Sequence, residues 1–304
     1  MFGDTLVIIN PAARNGNASL VAAKAKTKLA ALLEPHSKLT LYHTLAPKEA
    51  TQIVREHAFH YDTVFTIGGD GIINEVINGL MQVEKSNRPQ LGIIPCGNGD
   101  DFARSLKISR KPEEALEQLT SLQAHSIDVG KMNDVFFVET LSFGLDAAIA
   151  LETIDLRRTT NQQGTSLYVR AGIHHIKNDR IIYDAKISFD YSPQETIRFY
   201  QLAIQNGKTY GGGFTICPEA SIEDGLLDIC YTTAPLSFFE ASKVFLLAKK
   251  GAHVNHPQVH LRRAQHVSLK FSTIPATQLD GEKIHEKSLE VSLLPHEITV
   301  LTMP

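Results

Sequence analysis

Four short apolar runs alternate with helical stretches over the first third of the chain, and this alternation is what most restricts its fold. The runs are TLVII (5–9), KLTLY (38–42), TVFTI (63–67) and LGIIP (91–95). Between them, 19–33 and 48–59 read as helices. Over 72–81, Ile72, Ile73, Val76, Ile77, Leu80 and Met81 recur at the spacing of one helix face. A further helix opens at 100–106. Strands with so little polar alternation are buried on both faces, which predicts a parallel sheet covered by helices. In such sheets ligands bind beyond the carboxyl ends of the strands. Three glycine-containing turns stand at such ends: NPAARNGN (10–17), GGDG (68–71) and GNGDD (97–101). Glycine lets backbone amides approach an anion closely, and the helix that follows adds its positive end. One such turn is an ordinary strand-to-helix connection; three at one sheet edge predict phosphate binding. Neither GxxxxGK[ST] nor a GxGxxG after the first strand is present.

The pattern changes near His125. Strands are expected at 127–132, 135–141, 183–189, 197–205, 226–231 and 267–271, with helical patches at 167–176 and 237–249. This predicts a second, mainly antiparallel domain, a sandwich or partial barrel. The expected division is 1–125 and 126–289, with a last strand, 290–304, returning to the first domain. The polar segment 157–165 (RRTTNQQGT) reads as an exposed loop or flap, and the apolar residues of 236–247 either pack on a sheet or line a lipid pocket.

Composition excludes several classes. Lys+Arg number 30 and Asp+Glu 33, a net charge of −3, so the chain makes no global electrostatic claim on nucleic acid. Three cysteines, Cys96, Cys217 and Cys230, without a close pair argue against a disulfide scaffold or zinc finger. The opening MFGDTLVIIN has no basic segment and no long apolar run, so no signal peptide is expected, and no stretch is apolar enough to span a bilayer. The thirteen histidines are scattered; His174, His175, His253, His256 and His260 read as solvated surface. Lys249, Lys250, Arg262 and Arg263 form local basic clusters that suit either an anionic lipid surface or a solvated rim.

The sequence TIGGDGIINE (66–75) resembles the GGDGT-x-x-E segment of the diacylglycerol kinase catalytic domain, a lipid kinase family that includes sphingosine kinases and shares a superfamily with NAD kinases. Four further matches follow in order. Asn10-Pro11 with Gly16 resembles the family's opening turn, and LGIIPCGNGDDFAR (91–104) its LGIIPxGTxNDFAR. GGGF (211–214) with PEASIEDGLLD (218–228) resembles GGGF…P-x-A-x-x-x-DGLLD, and Asp280-Gly281-Glu282 the late DGE.

This resemblance implies a Rossmann-like, three-layer α/β domain followed by a β-sandwich, and an ATP- and Mg²⁺-dependent lipid kinase acting on the hydroxyl of a diacylglycerol-like lipid. By position, Asp70 arranges the nucleotide phosphates and Mg²⁺. The amides of Gly68, Gly69, Gly71 and Gly97 hold phosphate, and Asn10, Pro11, Gly16, Thr44, Glu75 and Asn98 complete the nucleotide site. Asp280 is the general base. Glu282, on the same face if the segment is extended, positions it or the metal. Ser221, Asp224 and Leu226 match a second, structural Mg²⁺ site. ATP is expected against Asp70 and Asp280 in an interdomain cleft. The protein is expected to be cytoplasmic and peripheral at the membrane surface, with a homodimer compatible with the family and no nucleic-acid partner. The family pattern is broken where Ile72 replaces threonine, Asn98 threonine and Asp100 asparagine. Asp100 sets a second negative charge beside Asp101 where phosphate is expected, so a cation must bridge it or its side chain must turn away. Two alternatives stand beside this reading: a kinase for another hydroxyl lipid, such as a sphingoid base or phosphatidylglycerol, and a non-catalytic nucleotide- or lipid-binding member.

Overall fold

A computed structural model describes residues 1–160 and 165–304. The chain forms two compact units, 1–128 with 295–304, and 129–294.

In the first unit the elements run β1 (Thr5–Ile9), α1 (Ala18–Ala30), β2 (Leu39–His43), α2 (Glu49–His57), β3 (Thr63–Gly68), α3 (Asp70–Leu80), β4 (Gln90–Pro95), α4 (Asp101–Ser105), α5 (Pro112–Gln118) and most of β5 (Gln123–Met132). The parallel strands take the order β4-β3-β1-β2, with Thr5 level with Thr63 and Leu39, and Thr63 with Gln90. β1 and β3 are buried along their whole length, as continuous apolar runs require. One core packs Val21, Ala22, Ala25 and Leu29 of α1 against Val7, Phe65 and Ile67. α2 and α3 approach so closely that a Cβ on Gly79 would stand 2.8 Å from the Thr51 carbonyl oxygen. The last residues of the chain return to this sheet, Val300 pairing with Leu91. Arg88, only 11% exposed at its side chain, anchors them by donating to Glu297 Oε2 at 2.6 Å and to its carbonyl at 2.9 Å.

The second unit contains β6 (Val135–Phe137), β7 (Thr140–Gly144), α6 (Leu145–Thr160), α7 (Thr165–Asn178), β8 (Tyr183–Phe189), β9 (Glu195–Gln205), β10 (Thr209–Tyr210), β11 (Phe214–Thr215), β12 (Leu227–Thr233), α8 (Phe238–Ala248), β13 (Val259–Ala264), β14 (His266–Phe271), β15 (Thr277–Leu279), β16 (Glu282–Ile284) and the start of β17 (Ser288–Thr302). Its ladders are antiparallel. β9 joins them, pairing with β8 through residues 195–199, with β7 through 201–205 and with β12 on its other edge. The core is aromatic, with the Phe143 and Phe271 rings 5.0 Å apart and Phe199 to Phe271 at 6.2 Å. α8 starts where the sequence SFFE supplies a capping box: Ser237 Oγ accepts from Glu240 N at 3.2 Å and Glu240 Oε2 from Ser237 N at 2.9 Å.

The units divide at 128/129 and 294/295, a few residues beyond the expected 125/126 and 289/290, and two expected elements differ. The strand at 135–141 is broken into β6 and β7, because the amides of Val138, Glu139 and Thr140 turn to one carboxylate instead of a neighbouring strand. The flap expected at 157–165 is helix at its edges: residues 157–160 end α6 and Thr165 opens α7. Positions 161–164 lie outside the described residues.

Gly92 shows how little slack the first core has. A Cβ there would stand 2.2 Å from Phe65 Cε1, and that ring is fully buried. Gly92→Ala is expected to cost about 1–3 kcal/mol by overpacking. Urea unfolding checks this as a lower midpoint with an unchanged slope.

Candidate functional site

The first unit gathers its glycine turns at the carboxyl ends of β1, β3 and β4. Gly69 and Gly97 meet through their backbones: a Cβ on Gly97 would stand 2.5 Å from Gly69 Cα. No larger residue fits at that contact. It draws three acids together. Asp70, the first residue of α3, accepts at Oδ1 from Phe102 N at 3.2 Å and so caps α4. Asp100 stands at φ 48°, and its Oδ1 turns back to accept from Gly97 N at 2.9 Å. Asp101 pairs with Arg104 at 3.4 Å. Of the two arrangements that make Asp100 tolerable, the structure has the side chain turned inward.

Burial and the neighbouring charges of Asp101 and Asp100 push the Asp70 carboxyl up to about 7. Burial pushes Asp100 up to about 6, against the pull of the Gly97 amide and of Arg110. Arg14, from the first turn, adds a further positive field at Asp100. Arg14 and Arg110 were not singled out from sequence. The signal for Arg14 was its place in NPAARNG, a cation inside a turn assigned to anions. A Cβ on Gly71 would meet nothing within 4 Å, and Gly71 is exposed. The chain at Gly71, in the first turn of α3, is therefore open to solvent.

The other expected nucleotide residues divide. Asn10 Oδ1 accepts from Ala12 N at 3.1 Å, shaping the turn that runs from Pro11 toward Gly16, itself at φ 88°. Thr44 Oγ1 donates to the Ile9 carbonyl at 3.2 Å, at the end of β1. Gly68 lies under Ile72, whose Cγ2 a Cβ on Gly68 would meet at 2.6 Å; Ile72 is thus core, 5% exposed. Asn98 is exposed on the third turn. Glu75 does not turn to the glycine loops: its Oε2 accepts from Ala50 N at 3.2 Å, on α2.

In the second unit Asp280 and Gly281 form the two-residue turn of the β15–β16 hairpin, with φ of 44° and 92° and Leu279 paired to Glu282. The segment is not extended, so Glu282 stands across the hairpin from Leu279, exposed, and does not share a strand face with Asp280. The Asp280 carboxylate folds back and accepts three amides: Val138 at 2.9 Å on Oδ2, and Glu139 at 3.2 Å and Thr140 at 2.8 Å on Oδ1. Ser221, Asp224 and Leu226 lie in one loop before β12. Ser221 Oγ accepts from Glu223 N at 3.3 Å, and Asp224 Oδ1 from Leu226 N at 3.1 Å.

The same unit holds a pocket enclosing about 560 Å³ of empty space, part of it open to solvent. Leu145 and Ile149 of α6, Tyr168 of α7, and Leu236, Val244 and Phe245 beside and on α8 line it. At its wall Asp146 accepts from Tyr168 Oη at 3.2 Å, and burial pushes its carboxyl up to about 8. Its Oδ2 has no hydrogen-bond partner among the described residues. His253, expected at the surface, is instead fully buried, lines this pocket and lies 3.7 Å from Cys230 Sγ. Asp146 and Tyr168 were not found from sequence, since an acid and a tyrosine 22 residues apart on two helices carry no motif.

Two family models match the chain: the diacylglycerol kinase catalytic domain over residues 4–132, and the YegS C-terminal NAD kinase beta sandwich-like domain over 139–302. A diacylglycerol kinase of Staphylococcus saprophyticus is 29% identical over 233 residues, covering 76% of this chain and 74% of its own. One from Staphylococcus aureus strain JH9 is 29% identical over 75% of this chain and 70% of its own. A crystal structure of a diacylglycerol kinase from Bacillus anthracis superposes with a TM-score of 0.76 at 23% identity, covering 100% of this chain and 98% of that one. Another Bacillus anthracis structure superposes with a TM-score of 0.82 at 25% identity over the same shares.

The acid cluster predicts a pH dependence with a definite sign. Asp100 binds its proton more tightly folded than unfolded, so the native state holds the extra proton between about pH 4 and 6, and stability falls as pH rises through that window. Asp100→Asn keeps the acceptor for Gly97 N and a residue type that tolerates positive φ. It is expected to stabilise the protein by about 1–2 kcal/mol at pH 8 and by nothing near pH 4. Denaturant titrations at the two pH values measure the difference; a gain equal at both would contradict the buried-charge account.

Proposed function

Because the chain belongs to the diacylglycerol kinase family, we propose that it transfers the γ-phosphoryl group of ATP to the hydroxyl of a diacylglycerol-like lipid at a membrane surface. The observation that carries this reading is the convergence of Asp70, Asp100 and Asp101 on two touching glycine turns, with Asp70 pushed up to about 7. Oxygen donors with mutually repelling charges suit a hard divalent cation, so the residues present fit Mg²⁺. Asp70 would hold it; when bound, it neutralises phosphate charge. The amides of Gly69 and Gly71, at the positive end of α3, orient the phosphates. Arg14 and Arg110 offset the acids. The loop of Ser221, Asp224 and Leu226 offers oxygen donors for a second such ion.

Asp280 takes the proton of the acceptor hydroxyl as that oxygen attacks phosphorus. Three amide donors fix the carboxylate's position and also weaken it as a base. Phosphoryl transfer tolerates this, because its loose transition state depends more on placement than on base strength. The pocket beneath α8 receives the acyl chains. The opposite face of α8 presents Phe239 (81% exposed), Lys243 and Leu246 (57%) at helical spacing, with the exposed Lys249 and Lys250 in the turn that follows, a stripe suited to an anionic bilayer surface. Among the described residues no helix is long and apolar enough to cross a membrane.

Radiolabelled ATP offered with a panel of lipids in micelles tests the reading. Label should enter diacylglycerol in preference to a sphingoid base or phosphatidylglycerol. Asp280→Asn should lower that rate by about 10²- to 10⁴-fold while circular dichroism and the melting transition show a folded protein. Equal labelling by parent and variant would remove Asp280 as the base. ATP binding with no transfer to any lipid would favour the non-catalytic reading that the core position of Ile72 motivates. Separately, Phe239→Asp with Leu246→Asp should abolish sedimentation with phosphatidylglycerol vesicles and leave transfer to a short-chain, soluble diacylglycerol intact.

A further inference from the structure

Helices α6 and α7 carry a cluster of metal-ligating side chains that neither the nucleotide turns nor Asp280 uses. Glu152 stands on α6, six residues beyond Asp146 and so about 9 Å along the helix axis. His174 and His175 stand near the end of α7. Glu152 Oε2 lies 2.7 Å from His175 Nε2 and 3.5 Å from His174 Nδ1. One donor atom from each of the three residues lies within 4.8 Å of the other two. On its other side His175 Nδ1 lies 3.0 Å from Asp179 Oδ2.

We propose that Glu152, His174 and His175 bind one late first-row divalent cation, Zn²⁺ above all, which ties α6 to α7. Three features of the cluster support this. First, the donor set is two imidazole nitrogens and one carboxylate oxygen, which suits Zn²⁺ and disfavours Mg²⁺ and Ca²⁺. A tetrahedral ion with bonds of about 2.0–2.1 Å separates neighbouring donors by about 3.3 Å. The observed separations of 2.7 and 3.5 Å bracket that value. Second, Asp179 Oδ2 stands 3.0 Å behind His175 Nδ1, in the place of the carboxylate that orients a ligating histidine and leaves Nε2 for metal. Third, Glu152 Oε2 and both ring nitrogens of His175 are buried, yet none completes a hydrogen bond among the described residues. Their approaches are close but make no hydrogen bond, so an ion pair leaves them unsatisfied; a cation between Glu152 Oε2 and His175 Nε2 satisfies those two atoms, and drawing Nε2 to the metal turns Nδ1 to Asp179. His174 is half exposed, which leaves the fourth position to water.

The same two helices bring Asp146 and Tyr168 to the pocket wall. An ion at Glu152 and His175 thus braces that wall from outside the pocket. The sequence reading of His174 and His175 as bare solvated surface does not hold for His175, which is 15% exposed at its side chain. The zinc spacing sought there was with cysteines, whereas the third ligand is a glutamate on the preceding helix.

The test uses the full chain stripped with a chelator, dialysed, and titrated with Co²⁺ and with Zn²⁺ alone, without nucleotide or lipid. The expected result is one equivalent bound, a visible Co²⁺ absorption of the intensity given by four-coordinate sites, its displacement by Zn²⁺, and a higher melting temperature with Zn²⁺. His175→Ala and Glu152→Gln should each weaken binding at least tenfold and remove the visible band. Asp179→Asn should weaken binding roughly 10- to 100-fold and keep one equivalent. His285→Ala, a histidine elsewhere on the chain, should change nothing. Absence of stoichiometric binding overturns the proposal, as does binding that survives both His175→Ala and Glu152→Gln unchanged. Should His175→Ala fail to fold, Glu152→Gln decides alone, since it preserves size and hydrogen-bonding capacity. None of these readouts involves kinase activity, so their failure leaves the reading of the nucleotide turns untouched.

Discussion

The contact between Gly69 and Gly97 is the constraint on which the first unit's chemistry rests. Two turns that leave adjacent parallel strands can touch through their backbones only where neither carries a side chain. That contact delivers Asp70, the N-terminus of α3 and the loop of Asp100 and Asp101 to one place. Asp70 then serves twice, as the cap that starts α4 and as an acid whose carboxyl burial and its neighbours push up to about 7. The two roles oppose each other: the amides that Asp70 caps favour its charge, while burial and the two neighbouring acids outweigh them and favour its proton.

Asp280 reconciles two readings that the sequence leaves in competition. Asp-Gly between strands is a hairpin signal, and DGE is a family motif; the structure has both at once. The positive φ of Asp280 points its carboxylate back over the break between β6 and β7, where three consecutive amides meet it. That interaction also explains why 135–141 is not one strand. Amides at 138–140 that serve a carboxylate cannot serve a ladder, and the register resumes only at Thr140.

What sequence could reach follows from how local each signal is. β1, β3, β4 and the early helices are legible because burial on both faces writes a run of apolar residues and helical spacing writes a period; β2, at the sheet edge, has no fully buried residue. β13 escapes that logic: its VHLRRA is polar because it pairs with β12 alone and turns four of six residues out of the core. The glycine turns are legible as turns, and they stand at the carboxyl ends of β1, β3 and β4. Glu75 and Glu282 are not legible, since side-chain direction at a helix or hairpin depends on what packs beside it. Glu75 goes to the Ala50 amide because α2 and α3 close on each other at Gly79. Asp146, Tyr168 and His253 were out of reach for a different reason. Their meaning lies in burial around a pocket that no linear spacing describes.

Asp70 and Asp280 embody opposite solutions to holding a carboxylate inside a protein. Asp280 receives three N–H donors, which fix its carboxylate in one orientation. Asp70 receives few donors and faces two acids, so near neutrality its charge is costly unless a cation arrives. A group of the first kind is ready at all times. A group of the second kind is protonated or ionised according to what occupies the turns around it. Under the kinase reading this difference has a direction: Asp70 would be among the residues holding a cation at the glycine turns, and the cation's charge would favour its ionised form. The amides around Asp280 keep it in one orientation whatever the state of the turns. Asp100 belongs with Asp70. An amide in its place would leave the Gly97 contact intact while removing one of the buried charges, so this acid adds to the electrostatic cost of the cluster more than to its architecture.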